Sequence, residues 1–226
     1  MQSNLLNQLL KDRAEKRAVV SATRLSDGIQ KLLYPSDKSE ETWLLDAASQ
    51  VLASDKSRTV TSPQGEEWFL NAFNPPLRLI VVGAVHIAQP VASMGRLAGY
   101  DVTIIDPREA FASPARFPDT RVICEWPDEA MTALAPDART AIVTLTHDPK
   151  LDDPALIVAL NSPAFYIGSL GSKKTHAARL ERLTAQGFDV QSLSRIHGPI
   201  GLNIGGKSPA EIAISIMAEI TSVLRQ

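Results

Sequence analysis

Four short segments place glycine, histidine or charged residues directly after an apolar run, as ligand-binding turns do. They are GAVHIA (83–88), DPR (106–108), THD (146–148) and GSLGSKKT (168–175). Glycine lets a backbone approach a ligand closely, and a helix that begins behind such a turn offers unpaired N–H groups to an anion. The four segments together therefore indicate a binding site for an anionic ligand.

GAVHIA is an incomplete version of the dinucleotide-binding fingerprint. Gly83 stands at the tight turn, but Val85 occupies the place of the second glycine and Ala88 that of the third. The β-branched Val85 argues against close backbone contact with a pyrophosphate. The candidate ligand contacts in this segment are Gly83, Ala84, His86 and Ile87. The alternative is a plain strand–helix turn without a ligand.

Asp106 lies 23 residues after Gly83, where a dinucleotide site places the acid that binds a ribose hydroxyl. Arg108, two residues further on, is suited to a bidentate pair with a phosphate. Both residues are candidate ligand contacts. The alternative is that Asp106 only caps the turn before Pro107.

Thr146, His147 and Asp148 follow another apolar run. The imidazole of His147 can donate to a ligand, act as a general base or bind a metal, and Asp148 can orient it. The alternative is a hydrogen-bonded histidine in a strand-end loop. The histidines show no spacing that is typical of a zinc site.

GSLGSKKT is the best anion cradle in the chain. Gly168 and Gly171 allow close backbone approach, Ser172 can cap the next helix, and Lys173 places a cation at the helix start. A cation at a helix start is unfavourable because the helix dipole is positive there. A bound anion would offset this repulsion, so an anion site is favoured over a simple turn. The alternative is a flexible turn with solvated lysines.

Two further features are less specific. RIHGPIGLNIGGKS (195–208) carries four glycines and is expected either to fold over the same edge or to form a long surface loop. Cys124, the single cysteine, is expected within a strand as a packed, inert thiol. With no activated nucleophile in the sequence, a binding function is favoured over catalysis.

The elements that position these segments alternate between strand and helix from Leu77 onward, which predicts a parallel sheet. We therefore expect a Rossmann-like, doubly wound α/β domain over 77–226. A small α+β domain is expected over 1–76, with the boundary at Asn74-Pro75-Pro76. A helix is predicted to begin at Asp152 or Asp153, with Pro154 in its first turn, and the last helix to open with a capping box at Ser208.

Composition narrows the function classes. The chain has 226 residues, 44% of them hydrophobic, and a net charge of −2, so no basic excess points to nucleic acid. No apolar run is long enough for a membrane span, and the start lacks the apolar core of a signal peptide. The lone cysteine is typical of a reducing compartment. A cytoplasmic protein is expected.

The motifs in order resemble the C-terminal domain of the XdhC/CoxI family, the xanthine dehydrogenase accessory factors. The resemblance rests on VVGAVHIAQPVA, VTIIDPREAFASPARFP, THDPKLDDPAL, FYIGSLGSKKTHAARLERL and RIHGPIGLNIGGKSPAEIAISIMAEI, and runs from about Pro76 to Arg225. It implies a Rossmann-like domain that binds molybdenum cofactor and helps to insert it into a molybdenum hydroxylase.

The resemblance also implies a cysteine desulfurase as a partner and association as a homodimer. One departure is that residues 1–76 lack the SGGC segment that many family members carry. Participation in sulfur transfer is therefore in doubt. Two other functions stay open on the residues: an NAD(P)-dependent oxidoreductase, favoured by Gly83, Ala88 and Asp106, and a scaffold that binds no cofactor.

Overall fold

The computed structural model describes residues 3–34, 37 and 40–225. The chain divides into two compact units, Met1–Pro76 and Leu77–Gln226. The candidate segments all lie in the second unit.

The first unit is an antiparallel sheet covered by a helix. Its elements are α1 (Ser3–Ala14), β1 (Val19–Arg24), β2 (Gln30–Leu33), α2 (Thr42–Ser54), β3 (Arg58–Thr61) and β4 (Glu67–Phe73). The strands lie in the order β2-β1-β4-β3 in the described residues. Val51 of α2 packs on Val20 and Leu70 of the sheet, and all three are fully buried. A small α+β arrangement results.

The second unit alternates strands and helices. Its strands are β5 (Leu77–Val82), β6 (Tyr100–Ile105), β7 (Arg121–Ile123), β8 (Thr140–Thr144), β9 (Tyr166–Ser169) and β10 (Ile196–His197). Its helices are α3 (Ala88–Leu97), α4 (Pro127–Leu134), α5 (Pro149–Leu160), α6 (Lys173–Ala185), α7 (Val190–Leu193) and α8 (Pro209–Leu224). A short 3₁₀ turn, Pro114–Arg116, lies between β6 and β7.

The sheet of this unit has the order β10-β9-β8-β5-β6-β7, and the pairs between neighbours are parallel. Strand order therefore reverses between β5 and β8, which is where doubly wound sheets bind their ligands. The expected Rossmann-like α/β fold with a small N-terminal α+β part is confirmed.

Helices cover both faces of this sheet. Leu79 and Val81 point to the layer that contains α3 and α8, where Val91 and Ile216 are fully buried. Ile80 and Val82, which alternate with them, point to the layer that contains α4, α5 and α6. Because both faces are buried, β5 is apolar at consecutive positions.

One expectation about the helices is wrong. Helix α5 begins at Pro149 with Asp148 as its N-cap, so Asp152 lies inside the first turn and Pro154 in the helix interior. In the segment 195–208, which is expected either to fold over the same edge or to form a long surface loop, Ile196 and His197 form β10 beside β9. The capping box at Ser208 is confirmed.

Leu79→Ala is expected to lower the free energy of unfolding by about 2–5 kcal/mol, because it opens a cavity between β5 and α3. Leu97→Ala is the matched control, since Leu97 is 89% exposed, and should change that free energy by no more than about 0.5 kcal/mol. Urea unfolding followed by circular dichroism measures both. Equal losses would contradict this packing of the core.

Candidate functional site

Strand order reverses between β5 and β8, and doubly wound sheets have their ligand crevice beyond the carboxyl ends of such a pair of strands. The turn 83–87 lies on one side of this place and the loop 145–148 on the other. Gly83 joins the two: it has φ +106°, and a Cβ there would lie 2.5 Å from the Thr146 methyl carbon Cγ2. The fingerprint glycine thus makes room for the neighbouring loop.

Asp106 is fully buried beside this turn. Its Oδ2 accepts the Ala84 N–H at 2.8 Å and Arg108 Nη2 at 2.7 Å, and its Oδ1 accepts the Arg108 N–H and Nε. Burial by itself raises the pKa of Asp106, but these hydrogen bonds outweigh burial and hold the pKa below its usual range. The four bonds occupy the acceptor capacity of the carboxylate.

The Arg108 guanidinium is 38% exposed and lies 4.4 Å from the centre of the Phe111 ring. Because it already forms a bidentate pair with Asp106, a ligand can reach it only from the open side. Sequence spacing predicted that Asp106 and Arg108 lie at this edge, but it did not predict that they pair with each other.

Arg116 is a site residue that the sequence pattern did not single out. Its Nη1 donates to the carbonyl oxygens of Ala84 and Phe111, both at 2.7 Å. Its guanidinium also lies 5.4 Å from the Phe117 ring. The contact depends on how the segment after β6 folds back over the Gly83 turn, so no spacing rule signals it. Arg116 adds a second arginine at this turn.

His86 and Ile87 precede helix α3. His86 is exposed and Ile87 half-buried, and no side chain among the described residues caps the helix at its start. In this turn the Ala88 N–H donates to the Val85 carbonyl oxygen at 3.0 Å and Pro90 has no N–H, so the Gln89 N–H is the backbone donor left for solvent or a ligand. The macrodipole favours negative charge at this helix start.

Hydrogen bonds to the buried carboxylate of Asp152 hold the loop after β8. Asp152 Oδ1 accepts the Thr146 hydroxyl at 2.7 Å, and Oδ2 accepts the His147 N–H at 3.1 Å. Asp148 Oδ1 accepts the Lys150 N–H, so Asp148 caps α5. His147 is exposed. Thr146 and Asp148 therefore shape this loop, and the His147 side chain is its group that is open to a ligand.

The glycines of the β9–α6 turn have different surroundings. A Cβ at Gly168 would lie 2.5 Å from Ile200 Cδ1 and 2.7 Å from the Tyr166 hydroxyl, so Gly168 makes room for protein and not for a ligand. Gly171 has φ +150° beside Thr175. Ser172 caps α6 by accepting the Thr175 N–H at 3.1 Å, as expected.

A pocket of about 440 Å³ opens beside this turn. Its apolar lining includes Leu170, Ile204 and Ile212, the glycine-rich segment 199–206 contributes backbone, and Lys173 contributes the cation. This volume lies within the range of small-molecule sites, roughly 300–1,000 Å³. The structure thus brings Lys173 and the glycine-rich segment together.

A partly buried network of hydrogen bonds holds the segment that lines this pocket. Glu219 Oε2 accepts the Tyr166 hydroxyl at 2.5 Å and the Gly201 N–H at 2.8 Å. The His197 ring stacks on Tyr166 at 4.7 Å. Burial, followed by the contact with Glu219, raises the pKa of Tyr166 above its ordinary value. The network therefore pins the start of segment 199–206 to α8.

Cys124 differs from the expectation of a packed thiol. Strand β7 ends at Ile123, and Cys124 is exposed, with its thiol 3.6 Å from the Pro107 carbonyl oxygen. The apolar run continues past the last residue that pairs with β6, which explains the error. In the described residues no three His, Cys, Asp or Glu side chains are arranged to hold a metal ion.

Residues 79–220 match the family described as the XdhC Rossmann domain. The chain belongs to this family. The resemblance inferred from the motifs is thereby confirmed.

Two relatives have names that describe a role. One is the molybdenum cofactor insertion chaperone PaoD of Escherichia coli strain K12, which is 31% identical over 160 residues, 69% of this chain and 44% of the relative. The other, from Bacillus subtilis strain 168, is named as a probable component of xanthine dehydrogenase and is 30% identical over 173 residues, 74% of this chain and 50% of the relative. The chain spans about half the length of these relatives or less.

A solved structure from Bacillus halodurans, named as a xanthine dehydrogenase, shares the fold. Its TM-score is 0.59 at 20% identity, covering 96% of this chain and 93% of that one. No helix in the described part of this chain combines the length and the apolar character that a membrane crossing requires.

Gly83→Ala is expected to lower the free energy of unfolding by roughly 2–4 kcal/mol, because it adds backbone strain to a clash with Thr146. Combining it with Thr146→Ser removes the clashing methyl group and should restore about 1 kcal/mol. Gly99→Ala is the control for strain alone, since Gly99 has φ +88° with open space around it. Denaturant titration measures all four proteins; no rescue by serine would contradict the contact.

Asp106→Asn is expected to lower the free energy of unfolding by about 1–2 kcal/mol at pH 7, a value reduced for the exposure of Arg108. The folded-state pKa of Asp106 is lowered, so its contribution is present above the unfolded pKa of about 3.9 and is lost as pH falls through the folded value. The difference from wild type should therefore shrink below about pH 4. Asp101→Asn, at an exposed position of β6, is the control and should show no such convergence.

Proposed function

We propose that this chain is a cytoplasmic accessory protein that binds molybdenum cofactor and assists its insertion into a molybdenum hydroxylase of the xanthine dehydrogenase type. The cofactor is cargo in this role, so the protein needs to bind and release it and not to transform it. Membership in the XdhC family and the name of the relative PaoD support the proposal.

The pocket beside Lys173 is the observation that carries the proposal. Molybdenum cofactor combines a flat pterin ring system with a phosphate, which is doubled when a nucleotide is attached. The pocket has the matching chemistry, since apolar Leu170, Ile204 and Ile212 can contact the rings. Ile200, Gly201, Leu202 and Ile204 donate their N–H groups within the protein, so Asn203, Gly205 and Gly206 are the residues of segment 199–206 that offer N–H groups for the ring edges. The residues present therefore fit the organic part of this cargo.

Lys173 is the expected partner of the phosphate. It lies at the first position of α6, where the N–H groups of the helix start also favour negative charge. The Ser172 hydroxyl already caps the helix, so the cation and the backbone are the groups left for the phosphate. His86 and His147, both exposed at the same edge of the sheet, are further contacts for a cargo that extends toward the crevice.

Partners belong to the same proposal. The client is the molybdenum hydroxylase, and a cysteine desulfurase would supply sulfur to the cofactor. A groove of about 590 Å³ beside α8, lined by Met94, Ile214 and Met217, supports association with a second copy. Ile214 is 50% exposed and the nearby end of α3 carries Leu97 at 89% exposure. Apolar exposure of this kind is typical of interfaces.

An NAD(P)-dependent oxidoreductase is the less favoured function. A ribose hydroxyl could bind Asp106 only by displacing Arg108, which occupies both carboxylate oxygens. Val85 also follows the turn where a pyrophosphate would need a glycine. Titration with NADH, followed by fluorescence, would support this function if binding were saturable at micromolar concentration.

Lys173→Ala is expected to weaken retention of molybdenum cofactor about tenfold, because it removes one charge-assisted contact with the phosphate. Lys174→Ala is the matched control: the neighbouring lysine is exposed and does not line the pocket. Each protein is mixed with isolated cofactor and passed through a desalting column, and the bound pterin is oxidised and measured by its fluorescence.

Equal retention by the two lysine variants would contradict the phosphate site. A wild-type protein that retains no pterin, yet still raises the activity of the client hydroxylase, would favour a scaffold without a cofactor site. The comparison therefore separates the proposed function from that alternative.

A further inference from the structure

His147 has a backbone conformation that residues with a side chain rarely adopt. Its φ is +62°, in the left-handed region. Lys16, Asp55, Asp119 and Ala135 also have positive φ. Asp55 and Ala135 end α2 and α4, where such a residue commonly closes a helix, and Lys16 and Asp119 lie in turns. His147 ends no helix, because it lies between β8 and the N-cap of α5. Its strained backbone needs another cause.

Asp152 provides that cause. Its Oδ2 accepts the His147 N–H at 3.1 Å, while its Oδ1 accepts the Thr146 hydroxyl at 2.7 Å and the Thr146 N–H at 3.3 Å. Asp152 is only 1% exposed, so water does not compete for these bonds. The carboxylate holds two consecutive backbone N–H groups, and that fixes the direction of the chain at His147.

Arg179 lies behind Asp152 and reaches the next turn. Its Nη2 is 3.9 Å from Asp152 Oδ2 and donates to the Leu170 carbonyl oxygen at 2.9 Å. The pair therefore connects the loop that carries His147 with the turn that carries Lys173. Two neighbouring walls of the candidate site are held by one buried ion pair.

This pair is costly for the fold. The side chain of Arg179 is 2% exposed, and its Nε and Nη1 have no hydrogen-bond partner in the described part of the chain. Burial raises the pKa of Asp152 and lowers that of Arg179. Buried ion pairs are often no more stable than apolar replacements. Stability alone is therefore a poor reason for this pair.

We infer that Asp152 and Arg179 are positioning residues that hold His147 in its left-handed conformation, so that its exposed imidazole donates a hydrogen bond to the phosphate-bearing cargo. The inference deepens the proposed function and rests on it. His147 touches the cargo, whereas Asp152 and Arg179 act through His147.

The first test measures strain without any cargo. His147→Gly should raise the Tm by about 1–3 °C, because glycine adopts positive φ freely. His147→Ala removes the same imidazole but keeps the strain, so its Tm should not rise. Thermal unfolding followed by circular dichroism compares the two variants with wild type.

The second test measures cofactor retention in a double-mutant cycle. Asp152→Asn, Arg179→Lys and His147→Ala should each weaken retention about tenfold. In the His147→Ala background Asp152→Asn should have no further effect on retention, although it still changes the Tm. Arg179→Lys should keep part of its effect there, because Arg179 also donates to the Leu170 carbonyl oxygen in the turn before Lys173. A merely structural role of Asp152 would lower retention in both backgrounds. If Asp152→Asn does not fold, Asp152→Glu, which keeps the charge but moves the carboxylate, carries the test.

Asp153 and Arg182 provide the matched control. They pair between the same two helices at 2.6 and 2.9 Å, with Arg182 39% exposed. Asp153→Asn and Arg182→Lys should leave retention unchanged.

Three results would overturn the inference: no rise in Tm for His147→Gly, a loss of retention for Asp152→Asn that adds to that of His147→Ala, or equal losses in the control pair. A wild-type protein that retains no cofactor would instead end the proposed function and the cargo role of His147. In that case a rise in Tm would leave only the strained backbone established.

Discussion

The parallel register of β5 with β6 and β8 is the constraint on which the candidate site depends. Val82 pairs with Ile105 on one side and with Thr144 on the other. The three strands therefore end at the same height, and the segments that follow them start side by side. For this reason Gly83 can pack on the loop after β8 while the next residue donates its N–H to Asp106.

Polar and charged side chains at this edge belong to two groups. Asp106 and Asp152 are buried, and each accepts backbone N–H groups from a loop of the crevice. Their arginine partners are placed beside them because an unpaired buried carboxylate would be expensive. Lys173 and His147 are exposed. The buried carboxylates thus give the loops their shape, and the exposed groups remain available for an anion.

Sequence patterns predicted the main strands, the reversal of strand order as a consequence of alternation, and the residues that follow each strand. They placed the start of α5 wrongly, because the capping rule for helix starts is satisfied at two places in this stretch. Both Asp148 and Asp152 are followed by a proline at a position suited to a helix start, at Pro149 and Pro154. The Lys150 N–H donates to Asp148, so Asp148 is the N-cap of α5. The Asp152 carboxylate is therefore available to accept the His147 N–H of the neighbouring loop.

By itself the sequence determined the alternation of strands and helices, and with it the edge where the candidate site residues lie, because period and turn chemistry are local properties. Only the tertiary structure decided which of those residues remain open. Asp106 accepts the Ala84 N–H, Gly168 packs on Ile200, and Gly83 packs on Thr146. These pairings join residues by distance in space and not by spacing in sequence, so they exist only once the sheet has set its strands side by side.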